Sequence, residues 1–189
     1  MEVIKTNIDD VLILKPDVFG DRRGYFMESF SEREFCSKVR EVHFVQDNES
    51  RSVRNVIRGL HFQRPPFAQS KLVRVVKGVV LDVAVDLRKG APTFGKHVAV
   101  ELSDENCLQL FIPRGFAHGF AALSDEVILQ YKCDGFYAPQ AECAVAWNDP
   151  DLGIDWKVSE NEAILSPKDR SNPSLKDLEW CFNYNTPLY

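Results

Sequence analysis

The sequence is short of positive charge: 23 Lys and Arg stand against 28 Asp and Glu in 189 residues, a formal net charge of -5. That balance argues against a general grip on nucleic acid, which needs concentrated Lys and Arg. A local basic cluster for an anionic small molecule stays compatible with it, because net charge is an average and a pocket is not. No apolar run approaches the ~18 residues of a membrane-spanning helix. The opening MEVIKTNIDD places two aspartates where a secretory leader needs an apolar stretch. The expectation is a protein of the cytoplasm, without a membrane anchor.

Cysteine pairs are missing too. Cys36, Cys107, Cys133, Cys143 and Cys181 are scattered without a Cys-x-x-Cys, which argues against a zinc knuckle or a redox pair and for reduced thiols. The four histidines, His43, His61, His97 and His118, stand alone. A metal-binding barrel wants His-x-His with a nearby Glu, so no metal is expected. There is no Gly-rich phosphate loop, no Gly-x-Ser-x-Gly elbow and no His-Glu-x-x-His. Repeats, low-complexity tracts and linkers are absent as well, which predicts one domain over residues 1–189.

What is present is alternation of period two. From Val73 to Leu87 one face reads Val73, Val75, Lys77, Val79, Leu81, Val83, Val85, Leu87, with Lys77-Gly78 as a turn or bulge. Further strands are expected at Val11–Leu14, His43–Gln46, Val53–Leu60, His97–Leu102, Leu108–Ile112, Phe116–Ala122, Val127–Lys132 and Cys143–Trp147. Helix is scarce: Ser31 and Glu34 form a capping box for a helix to about Val39, with a weaker candidate near Leu175–Leu178. Pro, Asn and Asp thicken after Asn148, so the last forty residues are expected to wrap the core. Many short strands with turn chemistry between them read as an antiparallel sandwich or barrel, an all-β fold.

Several strands carry polar side chains, among them Gln46, Asn48, Arg58, His61, Gln63, Lys71, Arg74, His118 and Tyr131. Two readings fit them: a wet cavity inside the barrel, or a solvated outer face. In Arg58-Gly59-Leu60-His61-Phe62-Gln63, His61 has the side chain suited to proton transfer near neutral pH, but a lone histidine is commonly a satisfied one. An acidic partner would decide for catalysis, and Ser166-Pro167-Lys168-Asp169-Arg170 offers one. Tyr131 is a proton donor or an aromatic packed at the barrel end. Arg23, Arg58, Lys71 and Arg74 are surface charges one by one, and a diphosphate cradle if brought together.

The motifs, taken in order, resemble the dTDP-4-dehydrorhamnose 3,5-epimerases. They are Gly20-Asp21-Arg22-Arg23-Gly24-Tyr25-Phe26-Met27-Glu28, Val45-Gln46-Asp47-Asn48, Arg58 to Gln63, Gln69-Ser70-Lys71-Leu72-Val73-Arg74, Gly115-Phe116-Ala117-His118-Gly119-Phe120, Tyr131-Lys132 and Lys168-Asp169. The resemblance runs from roughly Val3 to Asp169. It implies a cupin-like jelly roll and a homodimer whose N-terminal portion reaches the neighbouring subunit. It also implies a reaction with no metal and no nicotinamide cofactor. The substrate it implies is dTDP-4-dehydro-6-deoxy-D-glucose, inverted at C3 and C5 to dTDP-4-dehydro-L-rhamnose.

By the same resemblance His61 is the base, Asp169 its carboxylate partner, Tyr131 the proton donor and Lys71 the lysine near the sugar carbonyl. Arg23, Glu28, Gln46, Asn48, Arg58, His118, Glu142 and Lys168 correspond to contacts with the nucleotide sugar. Ser70 departs from the Gly often found there, and residues 181–189 carry no motif of the family. The rivals are an epimerase acting at one centre or on another nucleotide sugar, a non-catalytic sugar-nucleotide-binding cupin, and a metal-dependent cupin enzyme.

Overall fold

The computed structural model describes residues 1–178 and 182–189. Thirteen strands are formed among them: β1 (Glu2–Lys5), β2 (Leu12–Lys15), β3 (Val18–Asp21), β4 (Gly24–Met27), β5 (Gln46–Val53), β6 (Ile57–Gln63), β7 (Lys71–Lys77), β8 (Val79–Asp86), β9 (His97–Ser103), β10 (Gln109–Ile112), β11 (Phe116–Ala122), β12 (Glu126–Cys133) and β13 (Glu142–Ala144). All the paired strands run antiparallel, in a six-stranded sheet β1-β2-β10-β7-β12-β5 and a five-stranded sheet β13-β6-β11-β8-β9. A separate hairpin joins β3 and β4. The architecture is a cupin-like jelly roll.

The alternation in β7 and β8 has a physical cause on each face. Val80 and Ala84 of β8 meet Val73 and Val75 of β7, Leu110, Ile112, Val127 and Leu129 between the two sheets. Leu81, Val83 and Val85 point the other way and are covered by Trp147, Leu152, Trp156, Leu175 and Phe182 from the segment after β13. β8 and β11 are therefore buried on both faces, and the C-terminal stretch does wrap the core as expected. Gly78 (φ +84°) makes the corner between the sheets. A Cβ there would collide with the Glu126 carbonyl and Ser124 Oγ, so only glycine fits.

Helix α1 (Glu32–Lys38) starts where the capping box put it: Ser31 Oγ accepts from the Glu34 N–H. Its Phe35 packs with Leu14, Leu72, Phe111 and Val42 on the outer face of the six-stranded sheet. Single 3-10 turns form at Pro139–Ala141 and Leu175–Asp177.

Three expectations need correction. The run Val53–Leu60 is two strands, broken by a turn in which Asn55 adopts φ +68°. The His43–Gln46 run is irregular up to Val45, and the strand is instead the polar stretch Gln46–Val53, whose alternate residues face water. The Cys143–Trp147 run is strand only over Glu142–Ala144.

Candidate active site

The interior between the sheets is apolar at one end and polar at the other. Strand parity explains this: the face of β12 that carries Val127 and Leu129 into the core goes on to present Tyr131 and Cys133. On β7 the face of Val73 and Val75 presents Lys71, and on β5 Asn48 and Gln46 lie opposite Tyr131 and Cys133. These side chains, with His61, Phe62, Gln63, Gln69, Tyr137 and Glu142, enclose a cavity of about 190 Å³.

His61 on β6 is the best-defined member. Its Nε2 lies 2.6 Å from Asp169 Oδ1, a contact made across 108 residues of chain. Asp169 is buried; its other oxygen accepts from Ser166 Oγ at 2.8 Å, and its own N–H donates to Ser166 Oγ at 3.1 Å. Burial pushes the Asp169 carboxyl up, yet the His61 hydrogen bond and charge, Ser166 and the Gly59 N–H together outweigh it and hold the group below its ordinary value. An ionised Asp169 accepts the Nε2 proton, so in the neutral ring Nδ1 is the bare, basic nitrogen. The side chain of His61 is 37% exposed, open to the cavity.

Tyr131 and Lys71 form the opposing pair. The Lys71 ammonium sits 5.6 Å from the centre of the Tyr131 ring. Burial raises the Tyr131 phenol above its ordinary value, more than the nearby Arg58 charge lowers it, so at neutral pH it holds its proton. Burial lowers Lys71, opposed by the charges of Cys133, Asp82 and Glu142. The Cys133 thiol is pushed up to about 11 by burial and is inert as a nucleophile.

Around these groups, Gln46 donates to Asn48 Oδ1 at 2.9 Å and accepts from the Tyr137 N–H at 3.0 Å. At the rim, Lys168 Nζ reaches Glu142 Oε2 at 3.1 Å, beside a second groove of about 370 Å³ that also touches His61. Arg58 is tied back to Ser52 Oγ at 3.2 Å, outside the cavity wall. His118 lies behind it, buried, with Nε2 2.7 Å from Asp82 Oδ1 and its ring 6.3 Å from that of Tyr131. Burial lowers His118 despite the Asp82 carboxylate. Arg23 and Glu28 are not brought to this cavity within the chain: Arg23 pairs with Asp21 at 2.6 Å on the exposed β3–β4 hairpin, and Glu28 follows that hairpin.

Sequence reasoning passed over Tyr137, Ser166 and Asp82. Asp82 carried a signal: with Asp86 it is one of two charges in the otherwise apolar run VVLDVAVD of a doubly buried strand. Cys181 lies outside the described residues. Among the described residues no three His, Cys, Asp or Glu are grouped to hold a metal ion. No helix among them is long and apolar enough to cross a membrane.

A base aimed into a strand-lined cavity, with a protonated acid and a cation across from it, can take a proton from carbon and return one from another side. Fold and site together define a cupin-like isomerase. The chain belongs to the dTDP-4-dehydrorhamnose 3,5-epimerase family, whose model matches residues 5–177. It is 54% identical over 175 residues to the dTDP-4-dehydrorhamnose 3,5-epimerase of Methanothermobacter thermautotrophicus, covering 92% of this chain and 94% of that one. Among solved structures, dTDP-6-deoxy-D-glucose-3,5-epimerase from Legionella pneumophila in complex with dTDP-4-keto-L-rhamnose superposes with a TM-score of 0.94 at 44% identity, covering 98% and 99% of the two chains. A 3'-monoepimerase from Streptomyces bikiniensis in complex with dTDP-quinovose gives 0.84 at 32% identity, covering 92% and 87%.

Proposed function

We propose that this chain inverts C3 and C5 of dTDP-4-dehydro-6-deoxy-D-glucose to give dTDP-4-dehydro-L-rhamnose, without a metal or nicotinamide. The C4 ketone acidifies the hydrogens on both neighbouring carbons. His61 Nδ1 removes one of them and the C–H electron pair moves onto the carbonyl oxygen as an enolate. Lys71 faces that oxygen; a preorganised donor of this kind contributes ~3–4 kcal/mol where single ones have been removed. Tyr131 then gives its proton to the carbon from the opposite face, which inverts it. Asp169 keeps the imidazole in the Nε2–H tautomer and stabilises the imidazolium that forms. Between the two inversions the imidazolium gives its proton to solvent and the Tyr131 phenolate takes one up, so the same groups act twice, once per carbon.

The observation that carries this reading is the 2.6 Å His61–Asp169 bond opening onto the cavity that also holds Tyr131 and Lys71. At about 190 Å³ that cavity is below the ~300–1,000 Å³ of pockets for whole drug-sized ligands, so it takes the sugar. The nucleoside diphosphate then extends along the rim past Glu142 and Lys168, with Gln46 and Asn48 bordering the sugar end and Arg58 and His118 standing behind that wall. Identity favours double inversion: 3,5-epimerase relatives stand between 38% and 54%, against 32% for the monoepimerase.

The assembly we assign is a homodimer of single-domain subunits, in which the β3–β4 hairpin delivers Arg23 and Glu28 to the partner's site. In its support, Phe19 is 66% and Phe26 70% exposed on a two-stranded hairpin, which is rarely stable uncovered. The free thiols of Cys36, Cys107, Cys133 and Cys143 suit the reducing cytoplasm. The test is the product formed from the dTDP-4-keto-6-deoxyglucose, read by proton NMR. Inversion at both carbons is expected; a product inverted at C3 alone, or a ligand bound and returned unchanged, overturns the reading.

A further inference from the structure

The segment 182–189 lies beyond the span matched by the family model, yet it reaches the back of the site. Tyr189 Oη stands 2.6 Å from Ser70 Oγ and accepts from the Arg114 N–H at 3.1 Å, which leaves its proton for Ser70. Ser70 is fully buried, and its N–H donates to Asp134 Oδ1 at 2.6 Å. Asp134 Oδ2 accepts from Arg114 Nε at 3.0 Å, and Arg114 Nη1 donates to the Leu188 carbonyl at 2.9 Å. Tyr189, Ser70, Asp134 and Arg114 thus close a ring of hydrogen bonds. The half-exposed Tyr189 ring is held from outside by the Arg40 and Arg114 guanidinium groups, 4.4 and 5.1 Å from its centre.

The ring clamps the point where the site begins. Ser70 immediately precedes Lys71 and Asp134 immediately follows Cys133, and Lys71 and Cys133 are register partners across β7 and β12. Arg114 lies in the turn that leads into β11 and His118. Lys71 needs such support. Lys71 is part-buried at the cavity wall and its ammonium makes no hydrogen bond with a described residue, so its place depends on the strand that carries it. A shift of ~1 Å in a positioned group can cost on the order of 100-fold in rate.

We propose that Tyr189 is a positioning residue for the epimerisation: through Ser70 and Asp134 it fixes the start of β7 against the end of β12, and so the Lys71 ammonium against the Tyr131 phenol. This rests on the roles given to Lys71 and Tyr131 above. Tyr189→Phe keeps the ring between the two arginines and removes only the hydroxyl. In the full chain it is expected to lower kcat about 10- to 100-fold while KM moves less than about twofold. Ser70→Ala is expected to do the same, and the double variant to be no worse than either single one, as for two members of one bond. Amide exchange by mass spectrometry should quicken in peptides covering residues 70–71 and 133–134. A Tyr189→Phe protein with unchanged kcat, or with unchanged exchange at those peptides, overturns the proposal. If the wild-type chain itself turns over no keto sugar, the functional reading fails, while the exchange result still decides whether the clamp exists.

Discussion

In the mechanism proposed above His61 and Tyr131 divide the reaction between them, and their variants separate its halves. His61→Ala removes the carboxylate-aligned base of the cavity, and turnover should fall by roughly 10²–10⁴-fold. Tyr131→Phe removes the acid but leaves the base. It should still exchange substrate protons with solvent, the imidazolium returning them to the face they left, so deuterium enters with retention while epimerisation falls by a comparable factor. A Tyr131→Phe protein that inverts at the wild-type rate would assign the acid elsewhere. His118 gives a pH signature of a different kind. Burial depresses its pKa, so between the folded value and ~6.5 the unfolded chain binds the extra proton. Stability is full above about 6.5 and lost as the pH falls through that window. His118→Asn should flatten the fall in Tm between pH 7.5 and 5; an unchanged slope would show that His118 does not titrate there. Among single residues, the motif around His61 was legible, but a partner 108 positions away was not, because nothing local to either residue encodes the contact. The family resemblance supplied that pairing, and strand parity explains why Lys71, Tyr131 and Asn48 share one face.

Where β6 crosses β11, room exists for glycine alone. At Gly59 (φ +131°) a Cβ would come 2.5 Å from Gly119 Cα and 2.9 Å from the His118 carbonyl, two residues before His61. Gly59→Ala should cost about 1–3 kcal/mol in stability from the backbone conformation alone. It should also lower kcat by displacing the base, which unfolding and turnover assays can read on one sample. The β3–β4 hairpin permits a test by complementation. A mixture of His61→Ala and Arg23→Ala chains, allowed to exchange subunits, contains heterodimers in which one site has both a good base and a good Arg23 from the partner. Recovered activity is expected; none after confirmed exchange would place Arg23 in its own chain's site. Elements packed on apolar neighbours on both faces, β8 and β11, were easy to find because their pattern is dense. The QDNESRSV strand and the hairpin escaped, since the first has a polar exposed face and the second no core beneath it.

Taken whole, the fold divides its interior by strand parity into an apolar end that stabilises and a polar end that reacts. An antiparallel all-β fold was readable from many short strands, its jelly-roll form from the family resemblance, and the wrapping C-terminal stretch from its composition; the clamp formed by Tyr189 was not, because it depends on tertiary contacts with Ser70 and Arg114. With no metal-binding group among the described residues, EDTA should leave turnover unchanged. The deciding experiment follows deuterium from solvent into the dTDP-4-keto sugar, comparing wild type with His61→Ala. Deuterium should appear at both C3 and C5 in the wild type and at neither in the variant. Label that persists at either carbon without His61 would show that a single imidazole does not serve both inversions.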